Sequence, residues 1–159
     1  MGGVLARLSL LIFGKRSGGI LVPKMTIRKP RKINMPNIGA RRWVIPEGYI
    51  PPQSMVNADH ALKSHEAICI LNAGDENAEV KVTLYFSDKA PTGPYVFSVP
   101  AQRTRHLRFN DFNDPEPLPA GIGYSSVIES DRPVVVQHTR LDSRAAEVAL
   151  MTTLAWPCP

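Results

Sequence analysis

From Trp43 onward, apolar and polar residues alternate in short runs separated by Gly, Pro, Asn and Asp, and helical periodicity is almost absent. "AEVKVTLYF" (78–86) is the cleanest run: Val80, Val82, Leu84 and Phe86 face one way, and Glu79, Lys81, Thr83 and Tyr85 the other. "HEAICIL" (65–71) is apolar on both faces, as expected of a central strand, and the turn-rich "NAGDENA" after it predicts a hairpin to the next strand. "DKAPTGP" then breaks the chain before "YVFSV" (95–99), and "PAQ" turns it into "RTRHLRFN" (103–110). "DFNDPEPLPAGIG" is a thirteen-residue loop, long enough to be functional or a crossover. "YSSVIES" and "PVVVQHTRL" read as two strands joined by the turn-like "DRP". "EVALMTTLAW" (147–156) fits helix or strand, but Val148, Leu150, Thr152, Leu154 and Trp156 fall at a period of two, and the threonines favour a strand. About eight short strands predict an all-β fold, an antiparallel β-sandwich of jelly-roll or Greek-key type.

Charge divides the chain in two. Residues 1–42 hold ten basic and no acidic residues, whereas residues 43–159 hold nine basic and fourteen acidic ones. The net charge of +5 therefore belongs to a basic N-terminal arm, residues 1–42, which reads as disordered, ahead of one domain at 43–157. "VLARLSLLIF" (4–13) is too short to span a bilayer and lacks the flanks of a secretory signal. The simplest account of the upstream residues is a true start at Met25 or Met35; otherwise the arm offers nucleic acid or anionic lipid an electrostatic contact. Cys69 and Cys158 show no zinc-type spacing, and Cys69, inside an apolar run, predicts a buried reduced thiol.

Candidate chemistry is sparse. There is no Walker loop, dinucleotide glycine fingerprint or nucleophile elbow, so no catalytic residue is assigned and no cofactor is implied. His65, His106 and His138 on strands make a three-histidine metal site conceivable, but their spacings match no metal motif. His138, Asp142 and Ser143 have the residue types of a triad without its context. "RTRHLRF" brings Arg103, Arg105, Leu107 and Phe109 to one face and Thr104, His106 and Arg108 to the other; it is an anion contact or the solvated face of an outer strand. "RRWVIPEGYIPP" (41–52) holds Trp43, Glu47 and Tyr49 on a proline-stiffened segment, suited to stacking on a polar ligand or to plugging the core. In "PVVVQHTRLDSR" (133–144) three valines lead into Gln137, His138, Arg140, Asp142 and Arg144, with no Gly or Pro to end the strand.

The strings "WVIPEGYIPP", "SHEAICILNAGDENAEV", "GPYVFSVPAQRTRHLRFND" and "DPEPLPAGIGYSSVIESDRPVVVQHTRLDSR" resemble the sensory rhodopsin transducer family across Trp43 to Pro157. The resemblance implies a small cytoplasmic β-sandwich that assembles as a homotetramer and acts as a non-enzymatic sensor or signal relay. Its partners would be a membrane photoreceptor or other signalling protein, or a small polar, carbohydrate-like ligand. A sugar-modifying or hydrolytic enzyme using His138, Asp142 or Glu47, and a nucleic-acid-binding regulator using the arm, are the alternatives. The resemblance marks Trp43, Glu47, Tyr49, Arg105, His106, Gln137, His138, Arg140, Asp142 and Arg144 as a ligand pocket or a subunit interface. His138 and Arg140 share one strand face, and His138, Arg140 and Asp142 are expected near Trp43, Glu47 or Arg105 in the folded subunit or across its interface.

Overall fold

A computed structural model describes residues 38–54, 59–145 and 147–159. Arm residues 1–37 lie outside them, as does any test of their expected disorder. Among the described residues eight strands follow in order: β1 (Ala40–Tyr49), β2 (His65–Asn72), β3 (Ala78–Phe86), β4 (Thr92–Val99), β5 (Arg103–Arg108), β6 (Gly123–Asp142), β7 (Ala149–Leu154) and β8 (Trp156–Cys158), with a 3-10 turn at Phe109–Asp111. Every pairing is antiparallel, and the strands form two layers. One layer runs β4-β3-β6-β1-β8. The other runs β5-β2-β6-β7. The expected all-β sandwich is what the chain builds.

Strand β6 belongs to both layers. Residues 123–130 pair with β1 and β3, and residues 135–142 pair with β2 and β7. The sequence reading put a turn at "DRP"; the structure has one 20-residue strand that bends there. The β1 register jumps between Ala40, opposite Val134, and Arg42, opposite Glu129, so the residues between are bulged rather than turned. A bulge is where Pro133, lacking an N–H, is tolerated inside a strand.

The expected β2–β3 hairpin is also corrected, because β2 pairs with β5 and β6 whereas β3 pairs with β4 and β6. "NAGDENA" is a corner that hands the chain from one layer to the other. Buried Asn72 ties it: Nδ2 donates to the carbonyls of Glu76, Val99 and Pro100 (2.8, 3.0 and 3.3 Å), and Oδ1 accepts the Gly74 N–H. β2 is central, as expected, but only one of its faces is fully covered. Ile68 and Ile70 are buried, while Cys69 is half-buried and Leu71 exposed. Cys69 is thus a free thiol on the outer face beside the Thr104 hydroxyl, not a core thiol.

The core lies between the layers. Val80, Val82 and Leu84 of β3, Ile68 and Ile70 of β2, Val134 and Val136 of β6, and Phe109 are completely buried; Phe86 is partly so. Phe112 joins Phe109, Tyr95 and Phe97 in an aromatic cluster with centroids 4.9–5.0 Å apart. The chain ends on one side of the sandwich: β7 edges one layer, Ala155 crosses with its N–H on the Val136 carbonyl, and β8 edges the other.

Candidate functional site

At one end of the sandwich the core turns polar. Glu66, Ile68, Ile70 and Asn72 alternate inward on β2, and the first of them places a carboxylate where no solvent reaches. Across the ladder Glu66 faces Arg140 and Ile68 faces His138. Arg140 Nε donates to Glu66 Oε1 at 2.5 Å, and His138 Nε2 lies 3.5 Å from the same oxygen. From the opposite layer the Tyr124 hydroxyl donates to Oε2. The Tyr49 backbone N–H supplies a further donor. This carboxylate thereby joins β1, β2 and both halves of β6.

Burial alone would raise the Glu66 pKa. The close approach of His138 and the hydrogen bonds from Tyr124, the Tyr49 N–H and Arg140 outweigh burial and hold it at about 2. Tyr124 moves the other way: burial, then the Glu66 charge, push its hydroxyl well above the usual phenolic range. Glu66 is therefore an ionised acceptor and Tyr124 a fixed donor. Among the described residues His138 Nε2 is buried with no well-aligned hydrogen bond, and it lies 3.5 Å from Glu66 Oε1.

Gly48 makes this convergence fit. A Cβ there would come within 2.5 Å of the Tyr124 ring and 2.8 Å of Glu66 Oε2. The glycine in "PEGY" lets β1 pass close beneath the carboxylate, and the β1–β6 register shift between Ile45 and Gly48 marks the same spot.

The other candidate residues separate. Trp43 is a core plug, its Nε1 shared between the Ala40 and Val134 carbonyls at 3.0 Å each. Glu47 is exposed. Tyr49 is half-buried, lending its N–H to Glu66. Arg105 lies over the Phe97 ring and donates to the Ser98 carbonyl at 2.7 Å. His106 is exposed opposite Cys69 on the outer face. Gln137 Nε2 donates to Thr152 Oγ1 at 2.8 Å, also on the outer face. Asp142 is held by Arg144 (Nη2–Oδ2 2.6 Å), which keeps its carboxyl below the usual range. Within the subunit the side chain that meets His138 and Arg140 is Glu66 rather than Trp43, Glu47 or Arg105, and Tyr49 reaches it through its backbone N–H.

The catalytic constellations do not assemble. His106 points to the outer face and His138 inward, so the two cannot share an ion. Among the described residues no group of three His, Cys, Asp or Glu side chains is placed to hold a metal. His138 contacts Glu66, Asp142 contacts Arg144, and Ser143 contacts Ser64 (Oγ–Oγ 3.2 Å), which leaves no proton path between them.

A second feature lies on the adjoining edge. Met151 stands opposite Arg140 and Leu150 opposite Leu141. All six β7 residues, "ALMTTL", are exposed, with Leu150 at 65% and Leu154 at 66%, and Trp156 of β8 follows at 72%. The other edges are blunted: β5 carries Arg103, Arg105 and Arg108, β4 contains Gly93 and Pro94, and β8 is three residues with Pro157 at its centre. β7 has no charge, proline or glycine.

The family model described as Anabaena sensory rhodopsin transducer matches residues 38–157. The chain belongs to that family. Among solved structures, the Anabaena sensory rhodopsin transducer itself is 55% identical, with a TM-score of 0.58, and the match covers 65% of this chain and 99% of that one. The structure titled "Crystal Structure of Thermotoga maritima 1070" is 36% identical, with a TM-score of 0.67, and the match covers 76% of this chain and 96% of that one. No curated protein matches. The transducer family match takes in β1 to β8 together, and with them both the Glu66 cluster and the β7 edge.

Sequence reasoning missed Glu66, Tyr124 and Gly48. The signal for Glu66 was present: it has the parity of Ile68 and Ile70, so a strand with both faces apolar still had to bury a carboxylate. Tyr124 carried no such signal, because its partner lies 58 residues away and in the other layer.

Proposed function

We propose that this protein is a non-enzymatic signalling protein that relays its signal by protein–protein contact, through the side formed by β7 and β8. The observation that carries this reading is the contrast between that side and the polar end. Glu66 and Asp142 already have internal partners, whereas Leu150, Met151, Leu154 and Trp156 expose large apolar side chains on an uncharged strand edge. Exposed apolar surface beside unpaired backbone groups is the chemistry of a contact that something covers.

The first occupant of this side is a second copy of the chain, in the homotetramer that the family resemblance implies. A relative named as the transducer of a sensory rhodopsin points to a membrane photoreceptor or other signalling protein as the downstream or upstream contact, with the assembly in the cytoplasm. Contact stands ahead of a carbohydrate-like ligand, because a polyol needs acceptors as well as donors and the carboxylates of the polar end are engaged. It stands ahead of hydrolysis because His138, Asp142 and Ser143 serve three separate contacts. A nucleic-acid role would rest on the basic arm, of which residues 1–37 lie outside the described residues.

Light scattering tests the reading. The full chain is expected at roughly four times its 17.5 kDa mass, and a Leu154→Lys, Trp156→Lys double variant at a smaller mass with its strand signal intact. An assembly unchanged by both substitutions would remove β7 and β8 from the contact.

A further inference from the structure

Arg140 is held at one edge of its guanidinium and open at the other. Its Nε is spent on buried Glu66 at 2.5 Å, the side chain is 25% exposed, and among the described residues Nη1 and Nη2 donate to nothing. The neighbouring polar groups are already paired. Tyr124 is committed to Glu66, and Asp142 and Arg144 neutralise each other. The formal charges of Arg140 and Arg144 against Glu66 and Asp142 sum to zero.

We propose that Arg140, oriented by Glu66, is a binding site for a single carboxylate group. A guanidinium offers two parallel N–H bonds along its Nη edge, and a carboxylate is the planar acceptor that matches them. A sugar hydroxyl matches poorly, since it also needs an acceptor and the nearby carboxylates are occupied. A polyanion matches poorly too, because a site of zero net charge gives a second negative group nothing to meet. Glu66 supplies pre-organisation: with Nε fixed by a buried, ionised oxygen, the outer edge does not have to be ordered when a ligand arrives. In this scheme Arg140 is the contact residue and Glu66 the positioning residue. The inference goes beyond contact through β7 and β8 and does not depend on it.

The site has two sources of carboxylate, a free small acid or an acidic side chain of a neighbouring copy, and acetate distinguishes them. Sodium acetate would be titrated against the full chain, with sodium chloride at matched ionic strength as control, reading by NMR the backbone amide signals around residue 140, which every variant keeps. A saturable shift with acetate and none with chloride is expected. Arg140→Lys, which keeps the charge and loses the fork, is expected to weaken acetate by about tenfold, the equivalent of one hydrogen bond. Glu66→Gln is expected to weaken it as well, while Arg140→Lys with Glu66→Gln should add little to either alone, because both act on one guanidinium. If acetate binds while light scattering shows an unchanged mass, the site takes a free acid. If acetate binds and dissociates the assembly, it displaces a neighbour's side chain. Acetate that produces no saturable shift at Arg140, or binds Arg140→Lys equally well, overturns the site.

Discussion

The Glu66 cluster makes a quantitative claim about acid. Its hydrogen bonds hold the folded pKa at about 2, against 4.5 for an ordinary glutamate. A folded pKa below the unfolded one means that the unfolded chain binds a proton more readily, so stability is full above pH 4.5 and fades as pH falls toward 2. The difference is worth about 3 kcal/mol, a large part of a small domain's stability. Glu66→Gln removes the titration and keeps the shape. At pH 7 it leaves Arg140 and His138 beside a neutral amide and turns one acceptor into a donor that faces donors. Breaking a buried pair in this way costs about 3–5 kcal/mol. Urea unfolding at several pH values, followed through buried Trp43, measures both effects. Wild type should lose stability steeply between pH 4.5 and pH 2, and Glu66→Gln should start lower and lose less. Asp142 and Glu116 also have lowered pKa values through surface partners, but they titrate in both proteins, so the difference isolates Glu66. Parallel pH profiles for the two proteins would refute the claim that a buried, ionised Glu66 holds this end together.

Other expectations follow from the same contacts. Tyr124→Phe deletes one donor to a buried carboxylate and should cost about 1.5–3 kcal/mol by urea unfolding at pH 7, with the acid loss moved to higher pH because a lowering hydrogen bond is gone. Gly48→Ala meets the Tyr124 ring and Glu66, and should cost about 1–3 kcal/mol; a neutral Gly48→Ala would mean that β1 has room to retreat. Leu84→Ala, at a fully buried position, should cost about 2–5 kcal/mol with the fold retained. For the basic arm, trypsin is expected to trim residues 1–32 and leave an assembled core, and loss of the assembly on trimming would make the arm structural.

What could be read from the sequence was what depends on neighbours along the chain. Alternation in "AEVKVTLYF" and in "ALMTTLAW" gave real strands, because side-chain direction has a period of two wherever the backbone is extended. What could not be read was which strands meet. "NAGDENA" has the composition of a hairpin and serves as a corner between layers, since Asn and Gly favour any tight reversal, whatever the pairing beyond it. "DRP" has the composition of a turn and sits in a bulge, because a long strand shared by two sheets must bend, and Pro and Asp tolerate the missing ladder bonds there. The site failed to declare itself for the same reason. His138 and Arg140 were visible as an odd polar end to a valine strand, but the carboxylate they serve is 72 and 74 residues away.

The shared strand also explains why the polar end and the apolar edge occur together. Residues 135–142 of β6 have β2 on one side and β7 on the other. Arg140 pairs across the ladder with Glu66 in one direction and Met151 in the other, and His138 with Ile68 and Thr153. β7 therefore lies one strand spacing from the backbone that carries Arg140. Glu66 holds the Arg140 side chain from β2, on the opposite side. The first half of β6 carries Tyr124 into the other layer, where it meets Glu66 beside Gly48 of β1. A buried ion pair between hydrophobic layers contributes little net stability compared with apolar residues of the same volume. What the pair fixes is position: it holds Arg140 against Glu66 in the β2–β6 register, one strand spacing from the exposed β7 edge.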